Sequence, residues 1–86
     1  MKNHYVLGVH ITDRIHKVAA VQEIFTEYGC SIRTRLGLHE ASENVCSPNG
    51  LIILEMVGDD AESKAMVAKL RALEGVEVQE MVFAHP

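Results

Sequence analysis

The spacing of hydrophobic and polar positions changes several times along the chain, and each change marks an element. Residues 5–11 (YVLGVHI) alternate, so Tyr5, Leu7, Val9 and Ile11 share one face of an expected strand, and Val6, Gly8, His10 and Thr12 share the other. Over residues 14–28 the spacing lengthens to three and four. Ile15, Val18, Val21 (or Gln22), Phe25 and Tyr28 form a stripe with Ile24 beside it, which predicts a helix. Thr12 or Asp13 is its expected cap, and Gly29 its left-handed terminus. Residues 32–39 (IRTRLGLH) alternate again, with Ile32, Thr34, Leu36 and Leu38 on one side and Arg33, Arg35, Gly37 and His39 on the other.

Residues 40–50 (EASENVCSPNG) read as a loop, since Ser47-Pro48-Asn49-Gly50 is turn chemistry. Residues 51–57 (LIILEMV) are apolar on both faces apart from Glu55, as in a central strand. Asp59, with Glu62 three residues on, predicts a capping box for a helix over 61–73. The stripe of that helix is Met66, Leu70 and Leu73 with Ala65 beside them, and Gly75 ends it. Residues 76–83 complete the pattern as a strand. Its alternation breaks near Gln79-Glu80, which predicts a bulge or a strand covered on both faces.

The order β-α-β-β-α-β places the chain in the α+β class. The expected fold is a ferredoxin-like (ACT-like) sandwich: a four-stranded antiparallel sheet, first and third strands in the middle, with both helices on one face. At 86 residues the chain is one domain, 1–86. Two helices cover only one face, yet the third strand carries Leu51, Ile53 and Val57 on one side and Ile52, Leu54 and Met56 on the other. One of these sets faces water in a monomer. A homo-oligomer, dimer or tetramer, formed through the sheet face or its edges is therefore expected.

Composition narrows the function classes. A net charge of −4 without clustered cations excludes a direct nucleic-acid role for the chain alone. The longest apolar run, residues 51–54, is too short to span a membrane, and the polar start is no signal peptide, so a cytoplasmic protein is expected. Two cysteines are too few for a secreted disulfide scaffold.

The candidate chemistry is sparse. Cys30, His39 and Cys46 are suitable ligands for a transition metal such as zinc or nickel, although their spacing matches no compact motif. The ordinary alternative is a small buried thiol at Cys30, a loop thiol at Cys46 and a surface imidazole at His39. His10, among apolar neighbours on the first strand, reads as a hydrogen-bonded core or interface histidine. His4 and His85 read as solvated, and His16 lies in the first helical turn. Arg33 and Arg35 match an oxyanion, or else serve a solvated face or an ion pair with Glu77 or Glu55. Asp13-Arg14 is either an effector contact or a helix cap. No nucleophile motif, zincin motif or phosphate loop occurs.

Several stretches carry a resemblance over nearly the whole chain. They are Val9 through Asp13-Arg14, Arg35-Leu36-Gly37-Leu38, Gly50-Leu51-Ile52-Ile53-Leu54, and Lys69-Leu70 through Leu73-Glu74-Gly75-Val76-Glu77-Val78. Together they resemble a family of small ACT-like proteins regarded as regulators of the iron-only hydrogenase system. The resemblance implies an oligomeric ACT-like domain with a regulatory role. His39 stands where that family usually has proline. Amino-acid-binding ACT domains often carry Asp-Arg-Pro-Gly where this chain has Asp13-Arg14-Ile15-His16. More distantly, the chain is similar to the metal-sensing domain of the nickel-responsive repressor. Gly29 and Gly37 occupy two of its histidine positions, which leaves His39, with Cys46 near the cysteine, and no nickel site of that kind.

The expected function is thus a non-catalytic, oligomeric regulatory or ligand-sensing domain. Thr12, Asp13, Arg14 and His39 are its candidate ligand contacts, and a small-molecule effector or a protein is its partner. No cofactor is expected. The alternatives are a small metal-binding protein using His39, Cys46 and Cys30, or a small ferredoxin-like enzyme with a pocket between sheet and helices.

Overall fold

The chain follows the order β1 (His4–Ile11), α1 (Arg14–Glu27), a 3-10 turn (Gly29–Ser31), β2 (Ile32–Leu38), β3 (Gly50–Met56), α2 (Asp60–Arg71) and β4 (Val76–Phe83). The computed structural model describes residues 3–12, 14–38 and 50–84, with 14–16 and 38 described by backbone alone. The strands form one sheet in the order β2-β3-β1-β4, and every neighbouring pair is antiparallel. This is the ferredoxin-like βαββαβ arrangement, with β1 and β3 in the middle.

The core lies between the sheet and the helices. β1 contributes Tyr5, Leu7, Val9 and Ile11, β3 contributes Leu54 and Met56, and β4 contributes Val78. The helices answer with Val21, Phe25 and the adjoining Tyr28, and with Met66, Val67 and Leu70. Val21, Phe25 and Tyr28 recur at the helical repeat, so they reach the same side. Each such side chain taken fully from water stabilises the fold by about 1.5–3 kcal/mol. Val18, expected in this stripe, is exposed, and in α2 the buried neighbour of Met66 is Val67, not Ala65.

The ends of the elements are tied by specific bonds. Asn3 donates to both carboxylate oxygens of Asp60 (N to Oδ1 2.8 Å, Nδ2 to Oδ2 3.0 Å), which clasps the start of β1 to the start of α2. Asp60 and Glu62 in the first turn of α2 and Lys69 and Arg71 in its last turn complement the helix dipole. Gly75 follows at φ 81°, a conformation that favours a residue without Cβ, and β4 begins after it. At the far end of the sheet, Val57 N donates to Ser31 O (2.7 Å), holding the 3-10 turn against β3.

Four expectations are corrected here. Gly29 is not left-handed: the positive-φ glycines are Gly58 and Gly75, and Gly29 instead opens the 3-10 turn. Asp59 occupies the N-cap of α2, but its side chain makes no capping bond; its carbonyl accepts from Glu62 N (3.1 Å) and Ser63 N (3.4 Å) instead. β4 has no bulge, for its register with β1 runs unbroken from His4↔Phe83 to Ile11↔Val76. The break in its alternation is Glu80, which lies on the helix side and meets Arg71 (3.6 Å). The bulge is in β2 instead, between Ile32 and Thr34, where Arg33 is the extra residue. It reverses the expected faces. Ile32 packs on the core, but Thr34 and Leu36 turn to the opposite side and Arg35 comes to the helix side, its guanidinium 4.9 Å from the Phe25 ring.

Candidate functional site

The face of the sheet away from the helices is where apolar surface and polar groups meet. Cross-strand pairing assembles it in rows. His10 has Leu51 on one side and Glu77 on the other; Gly8 has Ile53 and Gln79; Val6 has Glu55 and Met81; His4 has Phe83. β2 adds Leu36 beside Ile53 and Thr34 beside Glu55. Leu36, Met81 and Phe83 are 54%, 57% and 53% exposed, and Val6, Leu51 and Ile53 are half-buried. The sheet is therefore apolar on both sides, as the composition of β3 suggests, with Leu54 and Met56 on the covered side.

Two polar groups interrupt this face. At one end, Glu55 accepts from the Thr34 hydroxyl (Oε1, 2.8 Å) and lies 2.9 Å from His4 Nε2 (Oε2). The Thr34 bond is the largest cause that lowers the Glu55 carboxyl below its ordinary value of 4.5; the His4 bond follows, desolvation opposes them, and the Arg33 charge assists. His4 is thus a bonded member of the face, not a solvated terminus. The rings of His4 and Phe83 also lie 6.3 Å apart.

At the other end is a cavity of ≈ 390 Å³ lined by Gly8, His10, Leu51, Glu77 and Gln79. Its floor is the missing side chain of Gly8. A Cβ placed there would touch nothing closer than Ile53 Cδ1 at 4.0 Å, so packing does not demand glycine, and the absent side chain leaves the depression open. Gln79 Nε2 donates to Glu77 Oε1 (3.1 Å), which steadies the carboxylate on the rim. His10 is exposed here and is not a core histidine.

The residues expected to form a ligand site at the first strand-to-helix junction are only partly described. Thr12 is exposed, and its backbone N–H donates to Gly75 O (2.7 Å), latching the end of β1 to the turn before β4. Asp13 and His39 lie outside the described residues, as does the side chain of Arg14. Of the candidate metal ligands, Cys30 is an exposed free thiol in the 3-10 turn, not the buried one expected, and Cys46 lies outside the described residues with His39. Among the described residues, no three histidine, cysteine or acidic side chains converge as a metal site. None of the described helices is long and apolar enough to cross a membrane.

Sequence reasoning places Gly8 and His10 on one face of the first strand, but it does not find the cavity. Leu51, Glu77 and Gln79 reach it through strand register, and nothing local in the chain announces which residue of β4 stands opposite His10.

No protein-family model matches the chain, and no curated protein does. Solved structures do. An uncharacterized protein from Thermotoga maritima superposes with a TM-score of 0.79 at 24% identity, covering 94% of this chain and 98% of that one. CPII from Thiomonas intermedia K12, a nitrogen regulatory PII-like protein bound to ADP, AMP and bicarbonate, gives 0.58 at 12% identity, covering 98% and 96%. A formyltetrahydrofolate deformylase from Pseudomonas putida KT2440 gives 0.55 at 13% identity; 91% of this chain matches 28% of that enzyme. At these identities the likeness is one of fold, and the fold that these chains share with this protein is the ferredoxin-like βαββαβ sheet.

Proposed function

We propose that this chain is a non-catalytic regulatory module of the cytoplasm. It assembles with copies of itself through the open face of the sheet and takes a small-molecule effector there. The observation that carries this reading is the uncovered apolar surface made by Leu36 and Ile53 in one cross-strand row and Val6 and Met81 in the next, continued by Leu51 and Phe83. Soluble monomers rarely leave such a contiguous surface open, and a second copy supplies a matching one by symmetry. Support for a role in binding comes from the cavity on the same face. No resident cofactor belongs to this reading.

The regulated system rests on the resemblance of the sequence to small regulators of the iron-only hydrogenase system, and that assignment belongs to the proposal. The ADP, AMP and bicarbonate held by the PII-like protein are anions, whereas the formal charge in the cavity lining of this chain is the Glu77 carboxylate. An effector of a different charge is the better match.

Native mass spectrometry of gently purified protein tests the reading. A dimer or larger assembly that dissociates on Leu36→Asp supports it. A monomer at tens of micromolar overturns it.

A further inference from the structure

The cavity over Gly8 has a definite chemical polarity. Its lining carries one carboxylate, Glu77, the His10 imidazole opposite it across the β1–β4 ladder, and one apolar wall, Leu51. Gln79 uses an N–H on Glu77 Oε1, and Glu77 Oε2 bonds no other group among the described residues. The amide carbonyl of Gln79 and this second carboxylate oxygen are both acceptors. The Gly8 backbone adds no donor, because Gly8 lies in the ladders of β1 with both β3 and β4. An anion would meet the Glu77 carboxylate, with no lysine or arginine in the lining to offset it. A donor-rich cation meets acceptors and an apolar wall instead.

We infer that the cavity over Gly8 is a binding pocket for a small organic amine, its ammonium on Glu77 and its apolar body against Leu51 and the floor at Gly8. The volume, ≈ 390 Å³, is at the small end of ligand pockets and suits a compact molecule. This inference deepens the effector site of the proposed function and rests on that reading. It assigns roles to each wall: Glu77 selects charge, Gln79 orients the carboxylate and accepts a further N–H, and Gly8 makes the room.

The test is a titration of the isotope-labelled full chain with 2-phenylethylamine, followed by amide chemical shifts. Phenylacetate, which carries the same ring on a carboxylate, is the control. Saturable shifts confined to Gly8, His10, Leu51, Glu77 and Gln79 are expected with the amine and not with phenylacetate. Glu77→Gln should weaken the amine about tenfold or more, and Gly8→Leu should abolish the shifts by filling the floor. Both variants must keep the dispersed spectrum of the folded sheet. The inference is overturned if the amine shifts none of these amides at about 10 mM, if both compounds shift them alike, or if Glu77→Gln binds the amine as well as the wild type does. Sedimentation of the same samples separates the two readings. A monomer that binds the amine saturably overturns the assembly and leaves the pocket standing, whereas an oligomer indifferent to the amine does the reverse.

Discussion

Leu54 and Ile53 are neighbours on β3 and equal in hydrophobicity, yet Leu54 is wholly buried and Ile53 faces the open side of the sheet. The same contrast runs along β1 and β3. On the covered side Leu7, Val9, Leu54, Met66 and Leu70 interlock without solvent. On the open side Val6, Leu36, Leu51, Ile53, Met81 and Phe83 surround two polar clusters and a cavity. Two helices suffice for one face only. Apolar surface left on the other lies outside the core of a single chain, and the proposed function gives it a role. On the proposed reading, stability and recognition are divided between the two sides of one sheet.

The largest expected effect breaks this comparison if it fails. Leu54→Ala leaves a cavity in the core and should cost about 2–5 kcal/mol in urea unfolding at any protein concentration. Ile53→Ala should cost much less in dilute protein and become costly only where copies associate. Equal losses for the two at low concentration would mean that the faces are not different. The next effect lies on the open side. Leu36→Asp should raise the dissociation constant of the assembly by about tenfold or more, since a two-fold interface counts each substitution twice, and sedimentation reads it directly. The unfolding midpoint of dilute protein should barely move.

Smaller effects sharpen the picture. Arg35→Ala removes the guanidinium over Phe25 and should cost about 0.5–1 kcal/mol, the scale of an exposed cation–π contact, despite adding no cavity. A loss near zero would return Arg35 to the solvated face that simple alternation assigns it. The open-side carboxylate Glu55 gives a pH signature. A carboxylate whose folded value is lowered stabilises the fold above its ordinary value of 4.5, and that contribution is lost as pH falls through the lowered value. The melting temperature of the wild type should therefore exceed that of Glu55→Gln near neutral pH, with the gap closing below pH 4.5. A gap that widens on acidification would rule out the Thr34 and His4 bonds as its cause. Smallest of all is the Lys69–Glu27 pair on the helix surface. Its contact with Glu27 raises Lys69 above its ordinary value, but both side chains are about half exposed, so Glu27→Gln should leave the melting temperature within error.

Much of the fold was legible in the chain. The alternation of Tyr5, Leu7, Val9 and Ile11 marks the buried side of β1, and Val21, Phe25 and Tyr28 mark the buried stripe of α1. The order of elements led to the observed strand order, with β1 and β3 in the middle. Reading failed where one extra residue or one polar side chain altered a simple period. The β2 bulge at Arg33 exchanges the faces of all that follows, because the side-chain period of a strand is two. Glu80 looked like a break in β4, although it lies in register and reaches Arg71. The cavity was illegible for another reason. Gly8 and His10 are close in sequence, but Glu77 joins them from the far end of the chain.

What the sequence determined by itself is therefore the set of elements, their order and the surplus of apolar residues over what two helices can cover. These are local properties: periods of two and of about 3.6, turn residues, and the count of hydrophobic positions. The tertiary structure alone decided which apolar residues form the core and which remain outside, which side of β2 carries Leu36, and which groups surround Gly8. Those outcomes depend on register between strands far apart in the chain, where a shift of one residue turns every side chain to the opposite face.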